Sequence, residues 1–179
     1  MKTLLQSLRL FLVLTVLTGV VYPLAVWAVG RLSFHDAAEG SLLTRDGRVV
    51  GSALLAQKFT SNRYFTSRPS AGDFATVASG ASNLAWTSAK LRDRLAAAPA
   101  GQPADLATTS GSGLDPHLSP EAVAVQLDRV ATARHLDAAR RAQLNELVAR
   151  HTEGGQLTPQ RVNILQLNLA LDAAFPSTP

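Results

Sequence analysis

The sequence predicts an α+β chain: one N-terminal transmembrane helix, then a single mixed α/β soluble domain with an early β-hairpin and three or four helices. Three observations carry this. A charge-free apolar run fills residues 10–30. An Asp46-Gly47 pair sits between two apolar dipeptides. The second half repeats apolar residues at three- and four-residue intervals behind recognisable helix starts.

The apolar run LFLVLTVLTGVVYPLAVWAVG spans the 21 residues between Arg9 and Arg31. As a helix it reaches about 32 Å, which matches a hydrocarbon core about 30 Å thick. Tyr22 and Trp27 lie in its outer half, where amphipathic rings favour the interface. Pro23 is expected to bend the helix, with Gly19 as the point of give. The rival reading is a cleaved signal peptide, with Lys2 and Arg9 before the run and Val26-Trp27-Ala28 as the cut. The run outlasts a signal core of about 7–15 residues, so a retained anchor is expected. A buried core helix is the third reading. It fails because the segment is apolar on every face and has no comparably apolar partner. Lys2, Arg9 and the terminal amine place the tail, residues 1–9, in the cytoplasm by the positive-inside rule. Residues 33–179 then form an extracytoplasmic domain.

Within that domain, Ser41 to Phe59 reads as a hairpin. Asp46-Gly47 suits the left-handed conformations of a type I′ turn, between Leu42-Leu43 and Val49-Val50. A long stretch rich in turn formers follows, from Ser61 to Asn83, of the kind that either has a function or is poorly ordered. A first helix is expected from Thr87 or Ser88 to Ala98, ahead of Pro99. PAGQPA is a linker, and Asp105 to Thr109 reads as a short extended piece. Ser119-Pro120-Glu121 then opens a helix with Val123, Leu127 and Val130 on one face. Asp137 caps another, with Leu144, Leu147 and Val148 as its stripe, ending at Glu153-Gly154-Gly155. A short strand at Arg161 to Asn163 precedes a last helix with Ile164, Leu167, Leu171 and Phe175 inward.

Composition removes several kinds of chemistry. No cysteine is present, so disulfides, thiolate zinc sites and cysteine nucleophiles are out. The net charge is +4, and fourteen of the seventeen basic residues are arginines scattered among acids. Without a basic block threaded by aromatics, nucleic acid is not an expected partner. His35, His117, His135 and His151 share no ligand spacing, so no metal site is expected.

The stretch TTSGSGLDPHLSP, residues 108–120, concentrates the polar chemistry. Ser112, Asp115 and His117 have the residue types of a nucleophilic triad, but three such residues within one loop rarely converge, and no G-x-S-x-G elbow surrounds Ser112. An anchored hydrolase using Ser112 and His117 is one alternative function. An exported binding protein, released after signal cleavage, is another. A phosphate loop would carry the G-K-[ST] ending that SGSGLDPH lacks. The simpler reading is a shaped loop whose glycines allow unusual dihedrals and whose Asp115-Pro116 starts a turn. Arg68, in Arg-Pro-Ser of the long loop, is either a local ion-pair partner or a contact for a neighbouring protein's carboxylate.

Several stretches carry a family resemblance. They are LTGVVYPL at 17–24, GSALLAQKF at 51–59, Tyr64-Phe65 followed by Arg68-Pro69-Ser70-Ala71, SGASNL at 79–84, SGSGLDPHLSP at 110–120 and RVNILQLNLALD at 161–172. In this order and spacing the chain resembles the C subunits of Kdp-type potassium-transporting ATPases, the KdpC family. Family members tend to have His or Trp and Gly where this chain has Thr66 and Ser67. They often show Ser/Thr-Asn-Pro where it has Thr87-Ser88-Ala89. The resemblance implies an accessory, non-catalytic, single-pass subunit of the cell inner membrane. Its partners would be a channel-like potassium-binding subunit and a P-type subunit that hydrolyses ATP. It also implies a catalytic-chaperone role that raises ATP affinity, with no cofactor held tightly and ATP reached through the complex. The domain's extracytoplasmic placement conflicts with direct ATP contact, so any such effect is expected as coupling through the complex. Arg68, Ser79, Asn83, Ser110, Ser112, Asp115, His117 and Asn163 are the candidate subunit-interface or signature residues.

Overall fold

The computed structural model describes residues 1–176. The chain divides after Ser52 into two units, each with its own internal contacts.

The first unit begins with helix α1 (Lys2–Val16), a single π-helical turn (Leu17–Val21) and helix α2 (Tyr22–Ser33). Together they form one 32-residue helix. None of its residues is buried. A helix apolar on all sides and covered by no protein suits lipid, not water. The two threonine hydroxyls in the apolar run are satisfied internally. Thr15 donates to the Phe11 carbonyl at 2.8 Å and Thr18 to that of Leu14 at 2.7 Å. The expected disturbance at Gly19 and Pro23 takes the form of the π turn. Pro23 has no N–H for the carbonyl four residues back, and its ring crowds that carbonyl. Widening the turn that holds Gly19 accommodates both effects.

In the last turn of α2, Arg31 lies over the Trp27 ring at 5.3 Å and pairs with Glu39 at 2.6 Å. A short helix α3 (His35–Ala38) leads to strands β1 (Leu42–Arg45) and β2 (Arg48–Ser52), which pair antiparallel. Asp46 and Gly47 both take positive φ, 51° and 73°, as a type I′ turn requires. The hairpin is shorter than the sequence suggests and stops at Ser52. From Ala53 the backbone bonds elsewhere. The Ala53 carbonyl accepts from Asn163 Nδ2 at 2.7 Å, and the Ala56 N–H donates to the Leu114 carbonyl at 2.8 Å.

The second unit, from Ala53 on, holds helices α4 (Ala89–Ala97) and α5 (Ala104–Ala107) and strand β3 (His117–Leu118). Helices α6 (Pro120–Ala124), α7 (Leu127–Ala133) and α8 (Ala138–Arg150) follow. Strands β4 (Thr152–Glu153) and β5 (Arg161–Asn163) and helix α9 (Ile164–Ala174) complete it. The three strands form an antiparallel sheet ordered β3-β5-β4. Phe65, Leu118, Val123, Val130, Leu144, Val162, Leu167 and Leu171 form the core, all at 1 % exposure or less.

Three caps set the helix starts. Ser119 accepts from the Ala122 N–H, Asp137 from that of Arg140 and Asn163 from that of Gln166. The structure corrects three readings. Residues 104–107 are a helical turn, not an extended piece. Pro103 presets the entry, and Asp105 lies in the first turn, where a carboxylate is favoured. The helix opened by Ser119 is two helices, because it breaks at Val125-Gln126. There Gln126 serves another segment: Oε1 accepts from the Thr66 N–H at 2.9 Å and Nε2 donates to the Thr66 carbonyl at 3.2 Å. Helix α8 closes at Arg150 instead of Glu153. The His151 N–H turns back to the Leu147 and Val148 carbonyls, and Thr152–Glu153 joins the sheet.

The long Ser61-to-Asn83 stretch has no regular structure, yet it is pinned. The Asn168 side chain grips the backbone of Phe65 from both sides: its Oδ1 accepts from the N–H at 2.9 Å and its Nδ2 donates to the carbonyl at 2.9 Å. A side-chain amide on α9 thus takes the place of a strand partner, which seats the Phe65 ring in the core.

Candidate functional site

All but one of the candidate signature residues of the second unit converge on the 110–118 loop. Gly113 has φ +70°, the left-handed region open to glycine. A Cβ at that position would stand 2.8 Å from the Gly80 carbonyl oxygen and 3.2 Å from Ser70 Oγ. Gly113 therefore lets three segments meet: the loop itself, Ser70-Ala71 and Ser79-Gly80. The Ser112 carbonyl accepts from the Gly80 N–H at 2.8 Å and from Ser79 Oγ at 2.9 Å.

The loop also ties its own ends. Ser112 Oγ accepts from the Leu114 N–H at 3.1 Å, and the buried Ser110 Oγ accepts from the Asp115 N–H at 3.4 Å. Asp115 Oδ1 accepts from the His117 N–H at 3.0 Å, the Asx turn that the Asp-Pro pair favours. The loop then enters β3, where His117 pairs with Asn163. Asn163 has two roles at once. Its Oδ1 caps α9, and its Nδ2 holds the Ala53 carbonyl.

Arg68 is drawn into this network. Its Nη1 lies 3.6 Å from Asp115 Oδ2, and its Nη2 donates to Thr108 Oγ1 at 3.2 Å and the Thr109 carbonyl at 3.4 Å. The local ion pair is thus the geometry adopted. Asn83 stands apart from these bonds, exposed, with φ 50°.

This arrangement does not assemble a nucleophile. The Ser112 hydroxyl is engaged by backbone, and the His117 ring faces Asp115, Nδ1 to Oδ1 at 3.5 Å. Among the described residues no hydrogen bond joins Ser112 to His117. No group of three His, Cys, Asp or Glu gathers among them either. What the loop offers is shape. Gly111 and Ser112 are exposed at the rim of a cavity of about 390 Å³ that also includes Leu54, Leu55 and Ser79.

A second cavity, also about 390 Å³, has no counterpart in the sequence reading. Lys58, Ser67, Arg68 and Arg129 line it together with Phe59 and Phe74. Five of these six lie within residues 58–74, and tertiary packing brings Arg129 to them; no motif joins them.

Across the chain, residues 4–173 match the family model described as "K+-transporting ATPase, c chain", KdpC. The chain belongs to the KdpC family. The match begins inside the N-terminal helix and ends inside α9, so it covers both units. Relatives agree along their lengths. A potassium-transporting ATPase KdpC subunit of Dechloromonas aromatica is 46 % identical over 97 % of this chain and 98 % of its own. One from Pseudomonas aeruginosa is 48 % identical over 95 % and 96 %, and one from Rhodospirillum rubrum 47 % over 98 % of each.

Proposed function

We propose that this KdpC-family chain is the accessory, non-catalytic C subunit of an ATP-driven potassium pump, held in the membrane by its N-terminal helix. The observation that carries the reading is the family match over residues 4–173, from that helix to α9. In this reading the N terminus is cytoplasmic and residues 33–179 lie outside the inner membrane. The 110–118 loop and the Ser79–Asn83 segment dock on the channel-like subunit near its ion entrance. The chain assembles and stabilises the complex. It raises the ATP affinity of the P-type subunit by contacting two pump states unequally, without touching ATP.

Two measurements test this. A tagged copy, co-expressed with the channel-like and ATP-hydrolysing subunits and purified in detergent, brings both down in fixed ratio. Recovery of the chain alone under conditions that keep the other two together refutes the assembly role. For orientation, the cysteine-free chain is a ready background. Arg140→Cys, at an exposed position on α8, reacts with an impermeant maleimide in intact cells. Labelling only after lysis would place the domain inside and reverse the orientation.

A further inference from the structure

The N-terminal helix is longer than a bilayer core requires. Its 32 residues extend about 48 Å at roughly 1.5 Å per residue, against a hydrocarbon core about 30 Å thick. With residues 10–30 in that core, most of the surplus is residues 2–9, and Leu4 stands about 9 Å before the charge-free run begins.

These first turns are two-sided. At about 100° per residue, Leu4, Leu5 and Leu8 fall within an arc of about 100°, and Leu12, inside the run, falls in the same arc. Lys2, Gln6 and Arg9 fall within about 60° of one another, and the two arcs are centred about 120° apart. The three leucines are 75 %, 50 % and 51 % exposed. An apolar stripe therefore runs on from the span beyond the point where an upright helix would leave the hydrocarbon. The Ser7 hydroxyl does not call for water there, because it donates to the Thr3 carbonyl at 2.9 Å. The polar arc carries only positive charge. The first acidic residue, Asp36, lies beyond the other end of the helix.

Leucines on one side and cations on the flank suit a helix segment seated in the bilayer surface, with its apolar face among acyl chains. Lys and Arg stems are long enough to carry their charges out to lipid phosphates. An acidic protein partner would match the cations, but not the continuity of the leucines with the lipid-facing run. We infer that residues 1–9 bind the anionic surface of the bilayer, with Leu4, Leu5 and Leu8 turned into the acyl layer and Lys2 and Arg9 held by phospholipid phosphates. Seating the stripe this way tilts α1 toward its leucine side. The inference rests on the proposed membrane anchor and is independent of the chain's role in the pump.

The test uses the full chain, which has no cysteine. It is reconstituted in vesicles of phosphatidylcholine, alone or mixed equally with phosphatidylglycerol, with a nitroxide on Leu5→Cys, Gln6→Cys or Val20→Cys. Collisions with oxygen, which concentrates in lipid, and with a water-soluble nickel chelate on both sides of the membrane report the depth of each label. Positions 5 and 6 differ by about 1.5 Å along the axis, so an upright helix places both at one depth. The expected result in the mixed vesicles is an oxygen-to-nickel ratio several-fold higher at position 5 than at position 6. Lys2→Gln with Arg9→Gln, or omission of phosphatidylglycerol, reduces that contrast, since each basic residue near an anionic surface favours the bound form about fivefold. Equal ratios at the two positions, or a contrast indifferent to phosphatidylglycerol and to both charges, would overturn the inference. So would a label at position 5 that meets the chelate freely in vesicles and is shielded only in the assembled pump, which would make the stripe a docking face for another helix. Position 20 separates this failure from that of the anchor. A label there that the chelate reaches refutes the anchor and the inference with it, whereas a shielded one with equal ratios at positions 5 and 6 refutes the inference alone.

Discussion

Replacing Arg134 with Met is expected to destabilise the second unit by about 3–5 kcal/mol, the usual cost of removing one partner from a buried ion pair. The Arg134 side chain is 1 % exposed. Its Nη2 meets Asp172 Oδ1 at 2.7 Å, its Nη1 donates to the Phe175 carbonyl at 3.0 Å, and its Nε to the Arg63 carbonyl at 2.8 Å. Its guanidinium also lies over the Tyr64 ring at 5.0 Å. One side chain therefore links the end of α7, the end of α9 and the start of the long loop. Methionine fills much of the volume but takes one donor from each of two carbonyls and from Asp172, which keeps the Tyr64 hydroxyl at 3.0 Å.

Arg141 supplies the contrast. It pairs with Asp128 at 3.0 Å, but the two side chains are 40 % and 97 % exposed. Arg141→Met is expected to cost no more than about 1 kcal/mol, because solvent screens an exposed pair. Urea unfolding of the detergent-solubilised chain measures both. Equal losses would mean that the Arg134 network contributes no more than a surface contact. Arg134→Lys should recover only part of the loss, since an ammonium cannot serve three acceptors in the geometry of a guanidinium fork.

The sequence reading succeeded where a local rule has one dominant cause. The long apolar N-terminal helix follows from an uninterrupted apolar run. The turn at Asp46-Gly47 follows from two positions needing positive φ. The starts of α6 and α8 follow from Ser119 and Asp137, whose side chains reach an N–H three residues on. It failed where a distant residue overrides a local pattern. Gln126 continues the helical spacing from Ala122 to Val130, yet its amide is spent on Thr66, sixty positions away, and the helix breaks there. Phe65 sits in a stretch of turn formers, which Asn168, Gln126 and Arg134, all distant in sequence, pin by its backbone. The cavity at Arg129 was illegible for the same reason: Arg129 reaches the 58–74 segment only through tertiary packing.

The signature loop offers the second large effect, with Gly113→Val expected to destabilise the loop by about 2–6 kcal/mol. A β-branched residue at φ +70° costs roughly 1–3 kcal/mol in backbone strain. Its Cβ would also stand 2.8 Å from the Gly80 carbonyl oxygen, a contact between backbone segments that no side-chain rotation relieves. Overpacking of this kind adds about 1–3 kcal/mol. The loop escapes by parting from Ser79-Gly80, which breaks both bonds to the Ser112 carbonyl. Gly111→Val is the matched control, because a Cβ there meets nothing within 4 Å and the backbone carries no positive φ.

The pair separates two ways in which the loop could serve assembly. If its conformation is what a neighbouring subunit recognises, Gly113→Val abolishes co-purification with the other pump subunits while Gly111→Val, whose side chain only projects outward, weakens it less. If the exposed tip itself inserts into the partner, the order reverses, because Gly111→Val places bulk at the contact and Gly113→Val buries its own. The bonds from Ser79, Gly80, Ser110 and Ser112 all fix the loop's backbone rather than display a side chain. Their number favours conformation, and the reverse order of losses would show that it is wrong.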